Sequence, residues 1–190
     1  MRRRVASVAL ALCAAMGGLV FAHSAQAQMY WRLDVGGSMT DDASFGPVST
    51  DSASSYVVGG GVGYRFNPSL RGDATLNYRG SYKLEGTDGS GAVLKADLTS
   101  TSLMANGYWD LPLSGTTPYI GAGIGWAQNK LDAFGGTWSG GAYALMAGFT
   151  MQLSGHVLDI GFRYADLGKI ESAAGNGKLK AHELSVGLRF

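Results

Sequence analysis

The chain has 190 residues, with 15 basic and 14 acidic side chains, 30 glycines, 4 prolines and 1 cysteine. The near-balance of charge leaves no basic footprint for nucleic acid, and one cysteine excludes a disulfide within the chain. The length suits one domain.

The chain opens on a leader. Arg2, Arg3 and Arg4 form a basic head, the run from Val5 to Ala22 is apolar, and Ala25-Gln26-Ala27 has the small-x-small form that signal peptidase cuts. Residues 1–27 are read as a signal peptide and 28–190 as the mature domain. Cys13 leaves with the leader, and Leu12 is too bulky to precede a lipidated cysteine. The remaining chain carries 12 basic and 14 acidic residues, a net charge near −2.

Eight segments then read as strands, near 29–38, 55–66, 70–82, 98–111, 117–127, 142–153, 156–166 and 180–190. Side chains of a strand alternate between faces, and each segment has one apolar row. The last is the clearest: Leu184, Val186, Leu188 and Phe190 alternate with Glu183, Ser185, Gly187 and Arg189. Connections near 67–69, 112–116 and 154–155 are short, and Asn67-Pro68-Ser69 and Ser154-Gly155 are turn chemistry. Connections near 39–54, 83–97, 128–141 and 167–179 are long. Short turns on one side and long loops on the other is the layout of an outer-membrane barrel. After the leader there is no long uniformly apolar segment, so a membrane-spanning form needs strands. Those strands must close, because lipid offers no partners to open edges. The expected fold is all-β: an eight-stranded, antiparallel, up-and-down transmembrane β-barrel.

The charges decide which row is wet. All six arginines after the leader (Arg32, Arg65, Arg71, Arg79, Arg163, Arg189) fall on the non-apolar rows, as do Asp34, Asp73, Asp110, Asp159 and Glu183. A basic residue facing lipid at mid-depth costs about 2–4 kcal/mol, so these residues are expected inside as an ion-pair network that fills the lumen. Arginine suits such sites because its planar fork meets a carboxylate at two points. The six lysines lie in the long loops or at their margins. Interior-row glycines such as Gly59, Gly61, Gly63, Gly121, Gly123 and Gly125 either give the long side chains room or mark bends of a tightly curved sheet. Aromatics divide into two expected belts at the membrane interfaces. Trp31, Phe66, Trp109 and Phe190 lie toward the short turns. Tyr56, Tyr78, Tyr82, Trp126, Tyr143 and Tyr164 lie toward the long loops.

Leu70-Arg71-Gly72-Asp73, Tyr78-Arg79-Gly80, Pro118-Tyr119-Ile120-Gly121-Ala122-Gly123-Ile124-Gly125, Phe162-Arg163-Tyr164-Ala165-Asp166-Leu167-Gly168 and the terminal Phe190 resemble the opacity-type outer-membrane surface proteins of Gram-negative bacteria. The architecture is also similar to the transmembrane domain of OmpA, without the peptidoglycan-binding part that follows the barrel there. The resemblance implies a barrel scaffold whose loops meet the environment. It also implies that Phe190 belongs to a C-terminal signal read by the barrel-assembly machinery after periplasmic chaperones deliver the chain. Expected partners are outer-membrane lipid, lipopolysaccharide and an unidentified extracellular ligand of the loops.

Chemistry is sparse. His156 and His182 are the histidines after the leader, and no HExxH, CxxC or other metal-ligand spacing occurs. His182 lies near Glu183 and Ser185, but its parity is that of Leu184, opposite to theirs. No catalytic residue, cofactor or metal is expected. The expected role is a structural surface protein, with a small pore as the alternative and a lipid A-modifying barrel enzyme behind it.

Overall fold

The computed structural model describes residues 28–40, 43–45, 48–50, 53–87, 93–111, 113–131, 136–172 and 175–190. The leader assigned to residues 1–27 and the loop acids Asp41, Asp42, Asp51, Asp88 and Asp132 lie outside the described residues. Among the described residues ten strands occur: β1 (Gln28–Thr40), β2 (Ala43–Phe45), β3 (Val48–Thr50), β4 (Ser54–Asn67), β5 (Leu70–Thr87), β6 (Val93–Asp110), β7 (Thr117–Leu131), β8 (Gly136–Leu153), β9 (His156–Ser172) and β10 (Gly175–Arg189). Among the described residues no helix is long and apolar enough to cross a membrane, which leaves strand-spanning forms open.

The eight long strands close on themselves. Each pairs antiparallel with its sequence neighbour, β5 pairs β6, and β1 pairs β10, so every long strand has two partners. The short β2–β3 hairpin stands in the first long connection and reaches β5 through Thr50 and Gly86. At the seam, Trp31 N–H donates to Phe190 O at 2.8 Å and Phe190 N–H to Trp31 O at 3.0 Å.

Register gives the tilt. Paired positions run from Tyr30 to Gly63, Asp73, Asn106, Gly123, Ala144, Ala165 and Ala181, and return to β1 at Thr40, ten residues beyond the start. Such a stagger inclines the strands to the barrel axis, and eight strands leave an interior about as wide as side chains can fill.

Tight turns join the strands at one end of the barrel. Ser154 (φ 47°) and Gly155 (φ 89°) are both left-handed, as a two-residue turn matched to strand twist requires. Asn67 Oδ1 accepts the Ser69 N–H at 2.9 Å, closing the turn before β5.

The structure corrects the sequence reading in two respects. First, the strands run past the expected loop boundaries. β5 continues to Thr87, β6 starts at Val93, β8 starts at Gly136 and β9 continues to Ser172. These segments lack an apolar row and so read as loops. Pairing with the neighbouring strand keeps them extended, and the register sets Lys83 opposite Asp97 and Glu85 opposite Lys95. Second, Tyr82 does not join the outer aromatic belt. The β5–β6 register shifts between Arg79 and Tyr82, and this bulge reverses the parity of the residues beyond it. Tyr82 is fully buried inside, its hydroxyl 2.6 Å from Ser38 Oγ.

Candidate functional site

The lumen is where the polar side chains converge, and β5 lays them out as a ladder. Arg71 stands beside the turn that opens the strand, then come Asp73, Thr75, Asn77 and Arg79, all buried, and the row ends at Tyr82.

At the turn end, Arg71 Nε donates to both oxygens of Asp110 at 2.9 and 3.0 Å. The guanidinium lies 3.8 Å from the Tyr108 ring centre and 4.7 Å from that of Tyr119, and a desolvated cation over an aromatic face gains about 2 kcal/mol. Across the floor, Tyr119 donates its hydroxyl proton to Asp159 Oδ1 at 2.7 Å. Arg189 Nη2 lies 3.4 Å from Asp159 Oδ2.

One step higher, Arg32 bridges two carboxylates. Its Nη2 and Nε meet Asp34 at 2.7 and 2.8 Å, and its Nη1 meets Asp73 Oδ2 at 2.7 Å. Tyr30 adds a bond to Asp73 Oδ2 at 3.2 Å, and Asn106 Nδ2 one to Oδ1 at 2.7 Å. Higher still, Arg79 Nε contacts Glu183 Oε1 at 2.5 Å and its Nη1 donates to Ser102 Oγ at 2.9 Å. Arg163 completes this group, 3.5 Å from Glu183 Oε2 and 3.3 Å from Asn77 Oδ1. Charges held this far from water are stable only when paired and hydrogen-bonded.

Arg65 shares the interior parity but makes no ion pair with a described residue; it stands opposite Arg71 in the register. Every other expected lumen residue belongs to the floor, to the Arg32 level or to the Arg79 level.

The interior glycines serve both purposes left open by their pattern. A methyl group at Gly59 would strike Asn77 Oδ1, at Gly123 Asn106 Oδ1, at Gly187 Asp34 Oδ1 and at Gly121 the Tyr108 ring, so these positions make room for lumen side chains. At Gly36, Gly61 and Gly125 it would strike the neighbouring strand's backbone, so there the glycine permits close strand approach in a tightly curved wall.

An apolar layer covers the ion pairs on the long-hairpin side, and the sequence reading missed it. Tyr82, Leu98, Leu167 and Leu179 project inward against Ala127, Ala142, Ala144, Ala165 and Ala181. Large side chains from β5, β6, β9 and β10 thus meet mostly alanines of the facing strands, the large-against-small fit of a tapered interior. Lower down, Tyr108, Tyr119 and Met146 form a second apolar group. The interior alanines were the available hint: they alternate with the outward row at the loop ends of β8, β9 and β10.

The outer surface is the inverse. Leu33, Val35, Leu76, Leu103, Ile120, Ile124, Leu145, Leu184 and Val186 are all exposed. Of the aromatics expected in belts, Trp31, Phe66, Trp109, Tyr56, Tyr78, Trp126, Tyr143 and Phe190 are exposed on this face, and Tyr164 is half-buried on it. His182 stacks on Phe162 and packs against Tyr164, at ring separations of 6.0 and 5.3 Å. Glu183 points inward to Arg79, and Ser185 Oγ bonds Gly161 O, so the three residues form no relay. Among the described residues no three His, Cys, Asp or Glu side chains gather as metal ligands.

A closed antiparallel barrel, apolar outside and charged inside, is the inside-out polarity of a membrane barrel. A family model described as "Outer membrane protein beta-barrel domain" matches residues 6–190. The chain belongs to the outer-membrane protein β-barrel family. This family member resides in the outer membrane. Its fold is similar to that of Neisserial surface protein A (NspA), with a TM-score of 0.68 and 22% identity over 87% of this chain and 98% of that one. It is also similar to OprG from Pseudomonas aeruginosa, with a TM-score of 0.56 and 15% identity over 85% and 95% of the two chains. Uncharacterized proteins of Brucella abortus and Brucella melitensis are 35% identical over 164 residues, covering 65% of this chain and 55% of theirs. The chain thus spans about half the length of these curated relatives.

Proposed function

We propose that this barrel is a non-conducting surface scaffold of the outer membrane, with the chain ends and short turns in the periplasm and the long hairpins outside the cell. The observation that supports this reading is the set of side chains that project into the lumen. Ion pairs from β1, β5, β6, β9 and β10 occupy its lower and middle levels, and the apolar layer of Tyr82, Leu98, Leu167 and Leu179 lies over them. A pore needs a continuous wet path, and an apolar constriction opposes one even where space exists.

The orientation rests on hairpin length. Paired strands extend well past the apolar rows on one side, whereas turns of a few residues close the other. In this reading the exposed apolar band meets lipid, the aromatics flank it at the two interfaces, and the lysine-bearing hairpins meet lipopolysaccharide and an extracellular ligand. In planar bilayers the purified protein should give no stable unitary conductance. A reproducible ohmic step would overturn the plugged reading and favour a small pore.

We also propose that Phe190 is part of what the assembly machinery recognises. Its backbone makes both seam bonds to Trp31, so it matters at the moment of closure. Deleting Phe190 should lower the amount of heat-modifiable, folded barrel in the outer membrane. Wild-type amounts after the deletion would remove this role.

A further inference from the structure

The lipid-facing wall is not smooth. Across β1, β4, β5 and β6 it carries a hollow of about 470 Å³, within the range of sites that hold one small molecule. The hollow opens outward: Trp31, Leu33, Leu76, Leu103 and Phe190 line it, and all of them are exposed. Its lining is almost wholly apolar, so it offers nothing to a polar ligand.

Residue size makes the dent. The register sets Leu33, Gly60, Leu76 and Leu103 side by side, with Trp31, Val62, Ala74 and Ala105 in the next row toward the short turns. Gly60 interrupts the row of leucines, and Ala74 lies diagonally beside it. Large side chains therefore stand round a floor of small ones. Gly60 is not required by crowding or by a left-handed backbone. A methyl group on it would lie 3.2 Å from Leu33 Cδ2 and 3.4 Å from Arg32 O, a fit that a small turn of the leucine relieves, and its φ is not positive. Glycine inside a strand weakens it, and often marks a site that another group approaches closely.

The hollow also has a direction. One circuit of the register climbs ten residues toward the loop ends. The row from Leu33 to Leu103 therefore rises as it crosses the wall. Trp31 and Phe190, bonded at the seam, form the low end beside the chain terminus. From there the hollow runs obliquely into the apolar band. A lipid tail takes the same course, from headgroups at the level of the aromatic belt toward the middle of the bilayer. A second copy would need a ridge of matching shape, whereas a tail needs only length and apolar walls. Groups already in hydrocarbon gain nothing by leaving water, so packing decides. An empty dent forfeits contacts along its lining, and a flexible chain recovers them.

We propose that this hollow seats one acyl chain of a glycerophospholipid from the periplasmic leaflet. The leaflet rests on the orientation proposed above, and the acyl chain rests on the hollow alone.

The probe is a phosphatidylethanolamine with a diazirine midway along one chain, in vesicles of phosphatidylethanolamine and phosphatidylglycerol that hold the refolded barrel. After illumination, peptides from residues 58–76 should carry severalfold more adduct than the β8 peptide with Leu145 and Phe149, which are exposed on another part of the wall. Gly60→Leu should bring the two yields level while the protein keeps its heat-modifiable mobility. Ala74→Leu fills the hollow from β5 and serves where the first variant does not fold. Even labelling of wild type overturns the proposal, and so does an excess that either folded variant keeps. Disulfide-linked dimers of Leu76→Cys, in preference to Leu145→Cys, would show a second copy in the hollow and overturn it as well. Protein extracted from outer membranes in mild detergent should carry phospholipid in native mass spectrometry, and Gly60→Leu should lose it. Lipopolysaccharide in its place overturns both the lipid source and the proposed orientation, whereas even labelling in vesicles leaves the orientation standing.

Discussion

Replacing Glu183 by glutamine should cost this barrel about 3–5 kcal/mol, the range for breaking a buried ion pair from one side. Glu183 is the only carboxylate that meets both Arg79 and Arg163 among the described contacts. Arg79 is 1% exposed, whereas Arg163 is 13% exposed and keeps its bond to Asn77. The loss therefore falls mainly on Arg79, left charged and half-satisfied against Ser102. Urea titration of the refolded protein in lipid vesicles, followed by tryptophan fluorescence or heat-modifiable gel mobility, gives the number. The double variant Arg79→Met with Glu183→Leu should recover most of the loss, because neither buried charge is then orphaned. If Glu183→Gln unfolds at the wild-type urea midpoint, the ion pairs contribute nothing to holding the wall together.

An arginine placed on the outer face should be nearly as damaging, for the opposite reason. Ile124 stands at the middle of β7 and is 72% exposed, in the outward row with Ile120 and Trp126. Ile124→Arg should destabilise the barrel in a bilayer by about 2–4 kcal/mol, the midplane penalty for a basic residue. Leu113→Arg is the control. Leu113 is similarly exposed but lies in the 112–116 connection, where Leu113 N–H bonds Thr116 O, and a basic residue near an interface costs about 0–1 kcal/mol. Equal losses at the two positions would contradict a lipid-facing band centred on Ile124.

Much of this molecule was legible from parity. The strand rows, the inward arginines and the short turns need only a period of two and the cost of charge in lipid. What failed were the places where parity is interrupted. Gly80, between Arg79 and Tyr82, was the one signal of a bulge, and counting straight past it put Tyr82 on the wrong face. A second register shift lies between Lys178 and Lys180, beside Gly168 with its φ of 89°. There Gly168 N–H bonds Asp166 Oδ1 at 3.0 Å, and Leu167 turns inward to join the apolar layer. The hairpin extensions were missed for a related reason: cross-strand pairing rather than an apolar row holds them extended.

The sequence by itself determined the count of long strands, the polarity of the two faces and the compartment, because these follow from alternation and from the energy of charge in hydrocarbon. Only the tertiary structure decided which charges meet. The ten-residue stagger carries residues far apart in the chain to one level, so that Arg79 finds Glu183 rather than a nearer acid, and Arg32 finds Asp73. It also decided that an apolar cluster forms in the loop-side lumen. Alanines on four strands are neutral in a sequence, and become a packing surface only when closure brings Tyr82, Leu98, Leu167 and Leu179 against them.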